Sequence, residues 1–197
     1  MSEIWAIILA AGESKRMGRP KMLLPFGDKT IIEKVIGNVI SSGIETVIVV
    51  LGSDKENILK VTEKLPVMNC YNENYSQGMF SSVQCGFRQM DDTCRAVLVF
   101  LGDQPEIGPD VINSLTDAYV KSGRGIIMPV FNNERGHPLL FDSKYRDEIT
   151  GLDPSATLRD LVHKFADDVL EVVVKSQSVL KDIDTKEDYL NEINKTN

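Results

Sequence analysis

Between residues 4 and 130 the chain alternates short apolar runs with stretches of helical spacing, and this alternation restricts the fold more than any other feature. Residues 4–9, 46–51, 67–71, 96–101 and 125–130 are of strand length and nearly continuously apolar. Such runs are expected in strands covered on both faces of a mostly parallel sheet. Residues 31–40, 55–64, 81–90 and 109–120 carry the helical period between them, the last opening on Pro109, a residue suited to a helix N-terminus. The order predicts a three-layer α/β fold with right-handed crossovers.

Past residue 130 the regularity breaks. Asn132, Asn133, Gly136 and Pro138 precede a short apolar run at 139–141, read as a loop and hairpin-like insertion with a small antiparallel strand. A helix at 157–165, a strand at 169–174 and a closing helix at 186–193 complete the reading. With 197 residues and no repeat or linker, the expectation is a single domain over 1–197.

The net charge of −7 argues against nucleic-acid or membrane-surface binding, so an anionic ligand must be held by a local cluster. No apolar run approaches the roughly 18 residues that span a bilayer. The first residues lack a basic segment and read as a buried strand instead of a signal peptide. Cys70, Cys85 and Cys94 form no CxxC pair and read as structural free thiols of a reducing, cytoplasmic compartment.

The local cluster follows the first strand. In ILAAGESKRMGRPK, residues 8–21, small residues at 10–12 allow close backbone approach to a ligand. Arg16 can grip a polyphosphate by two parallel hydrogen bonds, and Lys21 acts as a point charge. The spacing fits neither the P-loop nor the dinucleotide fingerprint, and a solvated basic loop is the alternative. LVFLGDQPEI ends a strand on Asp103, placed either to ligate Mg²⁺ or to form a turn before Pro105. In KDIDTKEDYL, Asp184 is either a second ligand or the N-cap of the last helix, with Thr185 competing for the cap. Gly78, Met79, Ser81 and Ser82 open a helix whose N-terminus suits an anion or an ordinary cap. His137, in ERGHPLLF, is either structural or exposed on its loop, and His163 reads as a surface residue.

LAAGESKRMGRPK resembles the signature loop L-[AG]-[AG]-G-x-x-x-R-M-G-x-x-K of the MobA-like nucleotidyltransferases, matching at Leu9, Ala10, Ala11, Gly12, Arg16, Met17, Gly18 and Lys21. GMFSS, LGDQP, GHP and DIDT resemble further motifs in family order, and LAAG, LGDQP, GHP and DIDT together point to the molybdenum cofactor cytidylyltransferase branch. The resemblance implies a Rossmann-like nucleotidyltransferase fold and transfer of a nucleoside monophosphate, CMP from CTP, onto molybdopterin with release of pyrophosphate. It implies that residues 9–12, Met17, Gly18, Gly78, Met79 and Ser82 bind nucleotide. Arg16 and Lys21 then hold the triphosphate and act catalytically with Asp103. Asp103 and Asp184 bind Mg²⁺, with Asp182 the weaker choice, and Gln104, Pro105, Gly136 and His137 face the acceptor. Where the branch shows G-D-x-G-A-R, this chain has GLDPSATLRDL, with Arg159 as its arginine. A non-catalytic chaperone serving a client molybdenum hydroxylase and a transferase acting on sugar phosphates are the alternative functions.

Overall fold

The computed structural model describes residues 3–196. The chain begins with β1 (Ile4–Ala10), a small hairpin of β2 (Pro25–Phe26) and β3 (Lys29–Thr30), α1 (Ile31–Ser41) and β4 (Val47–Leu51). It continues through α2 (Lys55–Thr62), β5 (Met68–Tyr71), α3 (Met79–Phe87), β6 (Ala96–Leu101), α4 (Pro109–Ser122) and β7 (Ile126–Phe131). Then come β8 (Glu134–Arg135), β9 (Leu139–Asp142), α5 (Arg146–Gly151), α6 (Leu158–Lys164), β10 (Val169–Val173) and α7 (Lys186–Thr196).

The main sheet runs β10-β7-β9-β6-β1-β4-β5, with β8 paired to β7. β9 is the antiparallel insertion, lying between β6 and β7, and every other pairing along the path is parallel. Because side chains alternate across a strand, β1 serves two cores at once. Ala6, Ile8 and Ala10 face Ile32, Val35 and Ile36 of α1 and Ile112 of α4, while Trp5, Ile7 and Leu9 face Phe80, Val83 and Phe87 of α3. That is why its sequence is apolar throughout, and it makes three layers.

β5 departs from the expectation of cover on both faces. It is an edge strand with Met68 and Tyr71 exposed, and its apolar sequence signals only a partial burial. Pro109 stands in the first turn of α4, and Gly123 closes that helix in the left-handed region. No helix among the described residues is long and apolar enough to cross a membrane.

Candidate active site

From β1 the chain builds outward through β4 to β5, then returns to add β6 on the other side of β1. Strand order therefore reverses between β1 and β6, and the crevice beyond the carboxyl ends of strands at such a point is where α/β sheets bind ligands. A cavity of about 420 Å³ opens there, its floor Leu9, Ala11 and Gly12 and its rim Lys21, Asp103 and Asp182. A larger cavity, about 630 Å³, lies at the opposite end of the sheet around Ile4 and Ile44; two of its charged residues, Arg95 and Glu3, pair with each other.

Two glycines that ended unremarked in the sequence shape the floor. Gly52 follows β4 and Gly102 follows β6, on either side of β1. A Cβ on Gly52 would lie 2.4 Å from the Ala11 carbonyl oxygen, and one on Gly102 would lie 2.8 Å from that of Leu9. The floor's carbonyls are held from these flanks: Gly102 N–H donates to Leu9 (3.0 Å), Ser53 N–H to Ala11 (3.3 Å) and the Ser53 hydroxyl to Gly12 (3.0 Å). The loop is thus set before any ligand arrives.

The charged rim is assembled by one backbone bond. Ile183 N–H donates to the Asp103 carbonyl at 3.1 Å, and the Ile183 side chain is buried against Leu24, Phe26, Ile31 and Tyr189. Sinking Ile183 brings the residues on either side of it, Asp182 and Asp184, up beside Asp103. Lys21 Nζ then donates to Asp103 Oδ2 and, at 2.9 Å, to Asp184 Oδ1, while Arg16 reaches Asp184 Oδ2 at 2.8 Å. Burial opposes the Lys21 charge, but Asp103 and Asp184 outweigh it and raise its pKa, so it is an ammonium at neutral pH. Burial and then the charge of Asp103 raise the pKa of Asp182, whose carboxylate accepts from Gln104 Nε2 at 2.6 Å.

Asp184 is not the cap of the last helix. Thr185 takes that role reciprocally with Asp188: Asp188 N–H donates to Thr185 Oγ1 (3.1 Å) and Thr185 N–H to Asp188 Oδ2 (2.7 Å). Asp184 is thereby left to the site.

The far wall is the start of α3. Gly78 holds φ +114, a conformation that favours glycine, and Gly78, Met79 and Ser82 line the cavity together with Tyr75 and Ser76. Buried Asn72 fixes this wall by donating to Ser81 Oγ (2.8 Å) and Ser82 Oγ (3.0 Å). Asp182, the weaker choice of ligand from sequence, lines the cavity, whereas Asn72 was not singled out; a polar residue just beyond an apolar strand was its available signal.

Other residues named from sequence lie elsewhere. The Ala10 side chain is buried in the sheet's core. Met17 packs against the small core around Leu24 and Ile31, and Gly18 forms an exposed turn at φ +63, so both shape the loop without lining the cavity. Gln104 is buried and donates to Asp182; Pro105 is buried with its carbonyl accepting from Asn38 Nδ2 at 2.9 Å, and neither lines the cavity.

Gly136 and His137 line a second cavity of about 180 Å³, floored by Met128 and Leu139 and joined by Arg135, Arg159 and His163. Leu139 pairs with Val99 of β6, so this cavity neighbours the first along the same sheet face. Burial lowers the His137 pKa to about 4, against a hydrogen bond to the Val99 backbone, and its Nδ1 is buried without a partner among the described residues. His163, read as a surface residue, is exposed but stands at this cavity's rim.

Asp103 Oδ1 is likewise buried without a partner among the described residues, as an acceptor awaiting a cation would be. No group of three or more His, Cys, Asp or Glu among those residues is placed to hold a metal alone. Two carboxylates are enough for a divalent cation whose shell is completed by phosphates and water.

The MobA-like NTP transferase domain family matches residues 6–169. Over 190 residues the chain is 26% identical to the molybdenum cofactor cytidylyltransferase of Escherichia coli (strain K12), covering 96% of this chain and 95% of that protein. It is 29% identical over 154 residues to the nicotine blue oxidoreductase of Paenarthrobacter nicotinovorans, covering 74% of each. The crystal structure of Rv0371c from Mycobacterium tuberculosis H37Rv superposes with a TM-score of 0.83 at 25% identity over 97% of both chains. A structure of Rv0371c in complex with manganese superposes with a TM-score of 0.78 at 23% identity, again over 97% of both.

Proposed function

The chain belongs to the MobA-like NTP transferase family, and on that premise we propose that it transfers CMP from CTP to the phosphate of a molybdopterin-type acceptor, releasing pyrophosphate. The observation that carries this reading is the Lys21 ammonium held between Asp103 and Asp184 at the mouth of a cavity floored by Leu9, Ala11 and Gly12. A bare acidic pocket would repel a triphosphate; this one carries Lys21 on its rim, and exposed Arg16 stands beside it on Asp184.

An acceptor phosphate is anionic at neutral pH, so no strong base is needed to generate the nucleophile. Catalysis then reduces to in-line placement and charge neutralisation. The floor and the α3 wall orient base and ribose. Arg16 and Lys21 turn from Asp184 and Asp103 to the phosphates, stabilise charge accumulating on the pyrophosphate, and release both carboxylates. Asp103 and Asp184 would hold a Mg²⁺ ion, which would supply Lewis-acid charge neutralisation to the phosphoryl group. The cavity of His137, Arg135 and Arg159 offers the acceptor a cationic, partly apolar seat beside the nucleotide.

The test is transfer of label from α-³²P CTP, GTP and ATP to purified molybdopterin, with its metal and without, in the presence of Mg²⁺. Transfer from CTP alone supports the reading. Transfer from another nucleotide keeps the chemistry and replaces the base. Nucleotide binding without transfer favours the cofactor-chaperone function, checked by capture of a molybdenum hydroxylase.

A further inference from the structure

Two of the three thiols, expected from sequence to be inert, face each other: Cys85 Sγ on α3 lies 3.8 Å from Cys70 Sγ on β5. Both residues are half-buried, within reach of a small solute, whereas Cys94 is buried. They stand 15 positions apart, and the segment between them contains the whole α3 wall of the nucleotide cavity: Asn72, Tyr75, Ser76, Gly78, Met79 and Ser82. β5 is an edge strand with a single hydrogen-bonded neighbour, β4, so it can move toward α3 without breaking a second ladder.

We propose that Cys70 and Cys85 are a peroxide-reactive pair that closes a disulfide around the nucleotide wall. The Cys85 thiol is the one poised to react: the hydrogen bond with Cys70, and then the Arg88 charge, draw it down to about 7 against its partial burial, while Cys70 is pushed up. In the first step the Cys85 thiolate attacks one oxygen of hydrogen peroxide; the O–O bond breaks, a sulfenic acid forms, and hydroxide leaves and takes up a proton as water. In the second step the Cys70 sulfur attacks the sulfenic sulfur; the S–O bond breaks, and the Cys70 proton leaves with the hydroxyl as a second water. Two thiols are oxidised by two electrons and one peroxide is reduced to two waters.

Closing the gap to a bond of about 2.05 Å draws α3 and β5 together. Gly78, Met79 and Ser82 ride on α3, and binding groups need placement to within about 0.5 Å, so the nucleotide site is disturbed. The coupling to nucleotide rests on the function proposed above; the bond itself does not.

The full chain, reduced and freed of reductant, is treated with hydrogen peroxide under native conditions, alkylated and mapped by mass spectrometry. The expected result is a monomer lighter by about 2 Da, with a dithiothreitol-reversible peptide linking Cys70 to Cys85, and Cys94 alkylated only after denaturation. In Cys70→Ser the Cys85 sulfenic acid has no resolving thiol and is trapped by dimedone; in Cys85→Ser no adduct forms at Cys70. Sulfinic acid without a crosslink, or a crosslink between two chains, overturns the proposal. CTP titrated into both forms by calorimetry reads the coupling: a Kd at least about fivefold weaker in the oxidised form is expected, and an unchanged Kd overturns it. If the reduced form binds no CTP, the proposed function fails while the mass map still decides the disulfide.

Discussion

Lys21 Nζ lies 2.9 Å from Asp184 Oδ1, joining residues 163 positions apart across the mouth of the cavity. The same ammonium donates to Asp103, so one cation bridges two carboxylates from the middle and the C-terminal part of the chain, with Arg16 as the second cation on Asp184. On the proposed function its position is that of a stand-in, holding the acidic rim until phosphates and a divalent cation take over that work.

Lys21→Met therefore has two separable effects. Transfer falls about 10²–10³-fold, the usual loss when a positioned donor to developing charge is removed. Asp103 and Asp184 are left facing each other, at a cost of about 1–3 kcal/mol for a partly buried pair. MgCl₂ then raises the melting temperature of the variant more than that of the wild type. Thermal unfolding with and without MgCl₂, beside a single-turnover assay, reads both; full activity in the variant would remove Lys21 from the mechanism.

Asp103→Asn keeps the shape of the side chain and its place above Ile183 N–H, since that bond uses the backbone carbonyl. It removes the charge and the buried, unpartnered Oδ1 as a cation ligand. The expected outcome is an intact fold, a loss of at least about 10²-fold in transfer, and weaker Mn²⁺ binding in the presence of nucleotide. Electron paramagnetic resonance of free Mn²⁺ measures the last quantity, and an unaltered Mn²⁺ affinity would reassign the cation to other groups.

The parts of this molecule written locally were legible in the sequence. Ile4 to Ala10 must be a doubly covered strand because every residue is apolar, and Pro109 starts a helix wherever that helix lies. What depends on neighbours was not legible. Met68–Tyr71 reads like any other strand until it is known to be an edge. Asp184 and Thr185 are both good caps, and only the hydrogen bonds to Asp188 decide between them. β2 and β3 are two residues each, too short for any period to show, and α5, with six, is little better. Gly52 and Gly102 acquire meaning only once β4 and β6 are seen to flank β1. Arg159 and His163 approach His137 through tertiary packing that no spacing encodes.

Gly52→Ala tests the floor of the cavity directly. The added methyl would lie 2.4 Å from the Ala11 carbonyl oxygen and 2.6 Å from its Cβ, and backbone cannot swing aside as a flexible side chain can. The 9–12 loop must shift, carrying Gly12 away from its bond to Ser53. Nucleotide affinity should fall about tenfold or more, with a stability loss of about 1–3 kcal/mol. Gly125→Ala is the matched control, since its methyl would meet the Lys144 side chain at 2.6 Å just before β7, outside the cavity lining. It should cost similar stability and less affinity. Equal losses of affinity in the two variants would mean that the floor has no special role.

His137 makes stability depend on pH in a direction that can be stated beforehand. Burial lowers its pKa to about 4, below the ordinary 6.5, so the unfolded chain binds a proton that the folded chain refuses. The stability gained from keeping the ring neutral is fully present above pH 6.5. It is lost progressively as pH falls toward 4, and below that it changes no further. Two and a half pKa units would correspond to about 3.4 kcal/mol, and because the residue as a whole is only half-buried the expected loss is about 1–2 kcal/mol. Carboxylates titrate over the same range, so the contribution is isolated by comparing the wild type with His137→Asn, which cannot titrate there. Urea unfolding of both at pH 7, 6, 5 and 4.5 should give stability curves that converge as pH falls. Parallel curves would mean that the folded state admits the proton, and with it that the ring faces solvent in the cavity of Arg135 and Arg159 instead of lying neutral against Val99.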